Sequence, residues 1–586
     1  MKRVMLTLLV LVTVTAMTFA GGQGGRSSSS AAQTPGGIPG YLNLDGYRPI
    51  VKQGTNVSLS LMVRRETIAK SDIKQNWVPQ YIERILNIKL DIEETYLDTY
   101  QERRNLVLAS NDLPDMMINQ SLTTSDFVSY GMSEKMFLAL SDYFSPQLTP
   151  TITALLASNP DGVAFNQTPD GKMYTIGNYT DITRYPYGNY RVFLNTRWME
   201  KAGIREAPKT VDSFLDMMRK FKAFSPADIG AKGRITPMIS ANEHDRRYFI
   251  NSLGFIGLNN SNTWGVDPHI NVNTRQIAIP CGEPEWAEFL RIYNTMYSEG
   301  LIHPEYFTMA ANRATARAHF AEGNAGVCSD AAAYLSMPTT FNEWISAVPL
   351  TSGVNSMAVA PRAPNVDVGN FAVSSKTKYP EVVLRLLDWF YTPEMGYKGY
   401  YGPLAGADDT LGLVGGLKLN AARDYIVPAE VESKKYESEF DYRVNAIFLA
   451  QETPRNMLGS YVNMMKALGV ANPILREYNL NDGDDHYYVM CYNAQNGYFY
   501  TVLPPPYMNQ AQGRRAADLR SAIENHVKAE TAKFVVGQRP LSEVPRYFAE
   551  LRTMGFDELK AIYAYVYKDY MARRTDWSTF RIDYKP

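Results

Sequence analysis

Cysteine and histidine are scarce in this 586-residue sequence, at three and six. Cys281, Cys328 and Cys491 stand too far apart for a disulfide framework or a zinc site. Buried thiols are expected, with one disulfide left open. An excess of either charge is also missing: 59 basic and 60 acidic side chains leave a formal net charge of -1. That excludes the basic surface which grips nucleic acid by its phosphates. No G-x-S-x-G elbow, H-E-x-x-H helix or glycine-rich phosphate loop occurs. These absences disfavour an enzyme without excluding one, because an acid/base pair of carboxylates leaves no mark in sequence spacing.

Aromatic residues, by contrast, are plentiful: 39 Tyr, 24 Phe and 7 Trp. Most belong in cores, but tyrosine in this number also suits carbohydrate- and peptide-binding clefts, since one ring offers an apolar face and a polar tip. An apolar fraction of 45% over this length predicts a packed protein of more than one domain. The amino terminus reads as an address. Lys2-Arg3 precede the apolar run Val4 to Val14, and Thr18-Phe19-Ala20 place small residues where a signal peptidase reads. Cleavage near Ala20 and a periplasmic or extracellular destination are expected. The run is shorter than the ~20 residues of a membrane span. Residues 21–46 begin with a Gly/Ser-rich stretch and read as a flexible linker.

From Tyr47 the chain alternates. Val57 to Leu61 has the period of two of a strand, and so has Ile88 to Ile92. Trp77, Tyr81 and Ile85 recur at helical spacing between them. A helix from Tyr100 to Ala109 then leads into the short apolar run Met116 to Ile118. Strand, helix, strand, helix, strand is an α/β layer with parallel strands. Ligands of such layers meet the loops outside the carboxyl ends of the strands. Arg64-Arg65 and Asn119-Gln120 sit at those ends. Later, Thr210 reads as the N-cap of a helix with Phe214, Met217, Met218 and Phe221 on one face. Trp389 lies on the apolar face of a helix opened by Pro380, which favours core packing over a stacking platform.

Five segments carry a resemblance. NLVLASNDLPDMMI, RVFLNTRWMEKAGIREAPKTVDSFLDMMRKF, ARAHFAEGNAGV, FAVSSKTKYPEVVLRLLDWFYTPE and the tail from Ala529 to Tyr570 resemble, in order and spacing, bacterial extracellular solute-binding proteins of family 1. The likeness is to the large branch that serves carbohydrate ABC importers. It implies an α/β fold of two lobes, a type II-like periplasmic-binding-protein clamp with mixed sheets flanked by helices and a helical carboxyl tail. It assigns residues 47–184 and about 360–400 to lobe 1, and 185–359 and about 401–586 to lobe 2 with its extension. It also implies a carbohydrate ligand, a membrane permease as partner, a monomer, no cofactor, no catalytic residue and no nucleic acid. Relatives often carry an acidic, calcium-like loop where this chain has SPADIGAKGRITPMI. Only Asp228 is acidic there, and Lys232 and Arg234 oppose a cation, so no metal is expected.

The expected ligand wall follows from strand ends and from the family's layout. The first lobe offers Arg64, Arg65, Asn119 and Gln120. The crossing segment TRYPYGNY offers Tyr185 and Tyr187. The second lobe offers Asn242, Glu243, His244, Ser329, Asp330 and Tyr334, with Trp264 as an additional platform. Two other readings stay open: an exported oligopeptide-binding protein and, with less support, a secreted glycan-active hydrolase. Main-chain and terminal-charge partners would mark the first, and paired carboxylates the second.

Overall fold

The computed structural model describes residues 37–180, 192–240, 244–257, 263–309, 313–330, 336–337, 340, 343–362, 366–369, 371–419, 426–437, 439–448, 455–456 and 498–573. The signal segment, most of the linker, Tyr185, Tyr187, Asn242, Glu243, Tyr334 and Cys491 lie outside the described residues.

The first lobe is built on a four-stranded sheet. Its strands lie in the order Phe371–Val373, Met116–Ile118, Ser58–Arg65, Lys89–Tyr96. The last three are parallel, with Leu61 opposite Met116 and Ile92, while Phe371–Val373 is antiparallel to its neighbour. The helices Trp77–Arg84 and Pro380–Phe390 cover it. Leu59, Leu61 and Val63 meet Trp77, Tyr81, Val383, Leu387 and Trp389 in one core. Trp389 is 2% exposed and stacks on Tyr81 at 5.4 Å, as a core tryptophan should.

The second lobe repeats the plan with the order Trp344–Ser346, Val192–Asn195, Val327–Ser329, Met238–Ser240. Val327–Ser329 and Met238–Ser240 are parallel, and Val192–Asn195 is antiparallel to both of its neighbours. The helix Val211–Lys222 is capped by Thr210, whose side chain accepts from the Ser213 amide. Its Phe214, Met218 and Phe221 enter a core with Phe249, Trp286, Phe289 and Met296. The carboxyl-terminal helices Gln510–Val535, Val544–Thr553 and Phe556–Val566 complete the same core through Leu519, Ile523, Phe534, Tyr547 and Leu559. Lys560 to Glu283 at 2.5 Å and Arg520 to Asp267 at 2.7 Å pin them to the lobe.

One expected assignment is corrected. The resemblance assigns the stretch after residue 400 to the second lobe, yet Val414, Tyr442, Ile447 and Phe448 belong to the core of the first. Arg65 and Asn76 of the first lobe both donate to the Val444 carbonyl, so backbone and core agree. A small apolar cluster of Phe165, Ile256, Val272, Val359 and Val502 joins the two halves.

Candidate functional site

The parallel strands of both lobes end in polar residues: Arg64 and Arg65 close one strand, Asn119 and Gln120 follow another, and Ser329 ends a third with Asp330 next to it. In the first lobe the helix Tyr100–Ser110 closes on Asn111, which takes the left-handed conformation (φ 53°) tolerated by asparagine at a helix end. The loop after Met116–Ile118 is also left-handed at Asn119 (φ 64°) and Ser121 (φ 49°). Such a turn needs outside support. Arg104 supplies it, donating from Nη1 to the carbonyls of Gln120 at 3.1 Å and Ser121 at 2.9 Å.

Neighbouring side chains of a strand point to opposite faces, and Arg64 and Arg65 therefore part company. Arg64 donates to Ser121 Oγ at 2.5 Å and lies over the Tyr100 ring at 4.9 Å. Bonding from Ser121, then from Gln101, holds the Tyr100 hydroxyl below the usual tyrosine range. Arg65 is 2% exposed and donates to Glu94, Ser71 and the Val444 carbonyl. It joins parts of the first lobe. Gln120 is buried, its amide donating to Thr95 Oγ1 at 3.1 Å. Arg64, Asn119, Gln120, Ser121, Tyr100 and Arg104 thus form one cluster at the strand ends, whereas Arg65 faces away. Sequence reasoning missed Tyr100, Arg104 and Ser121, which the helix spacing Tyr100/Arg104 placed on one face.

In the second lobe the helix His244–Ser252 starts just beyond Met238–Ser240. His244 is half-buried at its first position. Asp245 beside it is the hub. Its fully buried carboxylate accepts from Ser240 Oγ at 2.7 Å, from the Tyr293 hydroxyl at 2.7 Å and from the Tyr306 hydroxyl at 2.5 Å. Its backbone amide donates to Ser329 Oγ at 2.9 Å. One residue therefore ties two strand ends to three helices. Burial, reinforced by the Asp245 charge, pushes the Tyr293 hydroxyl well up; burial also raises that of Tyr306, so both stay donors. Asp330 is buried and accepts from Ser336 Oγ at 2.5 Å. Trp264 is 7% exposed, with the Arg246 guanidinium 3.8 Å from its ring centre and the Phe307 ring nearly parallel. It is packed into the wall and presents little ring.

Two cavities lie at the opposite ends of the sheets from these residues. One, of about 580 Å³, lies between Ser58, Lys89, Asp91 and Lys378, and the other, of about 480 Å³, between Asn195, Lys201, Asp228 and Trp344. The second borders the calcium-like loop. Asp228 caps the short helix there, accepting from Ser225 N at 3.0 Å and Ser225 Oγ at 2.7 Å, and pairs with Lys201 at 3.4 Å. A lone carboxylate already engaged by a lysine does not fit calcium, which takes six to eight oxygens. Among the described residues no group of three His, Cys, Asp or Glu is placed to hold a metal ion. Cys281 and Cys328 are buried free thiols, and burial pushes the Cys281 thiol well up.

Residues 77–406 match the family model described as bacterial extracellular solute-binding protein. A relative from Streptococcus pneumoniae, the fructooligosaccharide ABC transporter substrate-binding protein FusA, is 21% identical over 533 residues, 88% of this chain and 91% of its own. Among solved structures, an HMO-binding solute-binding protein of an ABC transporter from Bifidobacterium longum infantis superposes with a TM-score of 0.68 at 17% identity, covering 88% of this chain and 99% of that one. The S. pneumoniae FusA complex with kestose gives 0.61 at 18% identity, with 88% and 100% covered. At this identity the structures speak for the fold, a two-lobed solute-binding clamp.

Proposed function

The chain belongs to the bacterial extracellular solute-binding proteins, and on that premise we propose that it captures an oligosaccharide between its lobes and delivers it to an ABC importer's permease. The observation that carries this reading is the match along 88% of the chain to a relative that is itself an oligosaccharide carrier. The geometry supports it. Polar clusters end the parallel strands of both lobes, and each lobe has its own core. We place the ligand against Arg64, Asn119, Gln120, Ser329, Asp330 and His244.

A clamp of this kind works by population. Ligand touching both walls favours the closed form by its differential affinity for that form, and the closed form is what a permease reads. No bond is broken, no cofactor is needed and one protein molecule takes one ligand. Export through a signal peptide cut near Ala20 puts the protein where the sugar is. Titration calorimetry against a panel of neutral and acidic oligosaccharides, fructooligosaccharides included, tests the reading, with chromatography of the sugar afterwards. One-to-one saturable heat with intact sugar is expected. Shortened sugar would make it a hydrolase, and heat with peptides alone would make it an oligopeptide carrier.

A further inference from the structure

Residues 498–508 cross between the lobes, and their middle is Pro504-Pro505-Pro506-Tyr507. The strand Tyr498–Thr501 pairs in parallel with Val359–Arg362, and Val502 enters the cluster that joins the halves. Leu503 and Met508, on either side of the prolines, are buried in the second lobe's core. Tyr507 instead packs on a first-lobe cluster containing Met62, Leu108, Met117 and Leu122, and its hydroxyl donates to the Phe165 carbonyl at 2.8 Å. The segment is therefore rooted in one lobe and leans on the other.

Consecutive prolines fix φ and carry no N–H, so such a segment is stiff and can only accept main-chain bonds. Both flanking prolines do so. The Pro504 carbonyl accepts from the Tyr567 hydroxyl at 2.7 Å, and the Pro506 carbonyl accepts from Thr124 Oγ1 at 2.8 Å. Tyr567 belongs to the carboxyl-terminal extension and is 2% exposed. Thr124 closes the loop that carries Asn119, Gln120 and Ser121, and its neighbour Thr123 caps the next helical turn with Asp126. A stiff rod thus runs from the carboxyl-terminal helices to the loop at the first lobe's ligand edge.

We propose that residues 503–508 form a strut that positions the Asn119–Thr124 loop for ligand capture, with Tyr567 as its anchor. This gives the carboxyl-terminal helices a part in binding without contact to the ligand. The inference rests on the ligand lying at that loop. A positioning element changes the fraction of molecules ready to bind and leaves the bound contacts alone, so its loss appears in the association rate.

Thr124→Val removes the hydroxyl and keeps the shape; Thr124→Ser keeps the hydroxyl; Tyr567→Phe removes the anchor. Stopped-flow binding with the best oligosaccharide of the panel should show association slowed about 3- to 10-fold in Thr124→Val and Tyr567→Phe. Dissociation should stay at the parental rate, the melting temperature of Thr124→Val should not move, and Thr124→Ser should behave as the parent. A parental association rate in Thr124→Val, or a loss confined to dissociation, overturns the strut. Should the parent bind no oligosaccharide, the functional reading fails, and small-angle scattering of the unliganded proteins then decides. A changed distance distribution in Thr124→Val keeps the strut, and an unchanged one removes it.

Discussion

Asp245 allows a prediction whose size follows from its geometry. Its carboxylate is 0% exposed, and among the described residues its hydrogen-bond donors are the hydroxyls of Ser240, Tyr293 and Tyr306. Tyr293 and Tyr306 both donate to the same oxygen, Oδ2, while Ser240 serves Oδ1. Removing one phenol leaves that oxygen a partner. Each single change to phenylalanine should therefore cost about 1.5–3 kcal/mol, the range of a hydrogen bond to a charged group. Removing both leaves a buried charge half-solvated, a situation that costs about 3–5 kcal/mol by itself. The double variant should then lose more than the sum of the singles, with a coupling of about 1–3 kcal/mol. Guanidinium denaturation of Tyr293→Phe, Tyr306→Phe and the pair gives the cycle, and circular dichroism confirms the starting fold. Additive or sub-additive losses would refute the reasoning, for they would mean that Asp245 does not depend on the two phenols jointly. Since the Asp245 amide also holds Ser329, ligand affinity should fall along the same series.

Three further outcomes are expected. His269 is buried, and the cost of burying its charge brings it from 6.5 down to about 4. Below 6.5 the unfolded chain takes up a proton that the folded one refuses, so stability is full above that pH and falls towards pH 4, by about 3 kcal/mol at 1.36 kcal/mol per unit; denaturation midpoints of the parent and His269→Asn across this window should diverge, and parallel curves reject the assignment. A Cβ at Gly282 would lie 2.2 Å from the Phe556 ring, so Gly282→Ala should loosen the carboxyl-terminal helices at about 1–3 kcal/mol, read as faster amide exchange in residues 544–566 than in the first lobe. Because Lys201 and Ser225 already engage Asp228, adding calcium or a chelator should leave the melting temperature where it was; a rise with calcium would contradict the donor count.

Local order was legible in the sequence, and distant partners were not. The helices over Trp77–Arg84 and Val211–Lys222 announced themselves by apolar spacing, and Thr210 by its place before the second. The strand from Ser58 runs on to Arg65, past the alternation that revealed it. Residues 61 to 65 are all buried, and burial on both faces erases the period of two. The strand-end rule depends on topology alone, and Arg64, Arg65, Asn119 and Ser329 do lie at or just past strand ends. It did not show what the loops hold. The partners of Asp245 lie 48 and 61 positions downstream, and those of Arg65 reach 379 positions to Val444. No local pattern encodes such pairs. Nor does any local pattern mark the return of the chain to the first core at Val414, Tyr442, Ile447 and Phe448.

The neighbouring arginines show how far a face matters, and they separate binding from stability. Arg65 reaches Glu94 at 2.7 Å with its side chain 1% exposed and Glu94 22%. Its other bonds hold Ser71 and the Val444 carbonyl. Arg65→Leu strands these acceptors and should cost about 2–4 kcal/mol, somewhat under the penalty of a fully buried pair because water reaches Glu94. Arg64 is turned to the other face of the strand. Its bond to Ser121 and its stacking on Tyr100 serve the Asn119–Ser121 loop, the loop at which we propose the ligand sits. Arg64→Gln should leave the denaturation midpoint nearly in place and weaken oligosaccharide binding about tenfold, close to 1.4 kcal/mol. Midpoints and calorimetric affinities of the two variants form a crossed test. If Arg65→Leu kept its stability and lost its ligand, while Arg64→Gln did the reverse, the faces of this strand would be assigned the wrong way round and the first lobe's wall would have to be rebuilt around Arg65.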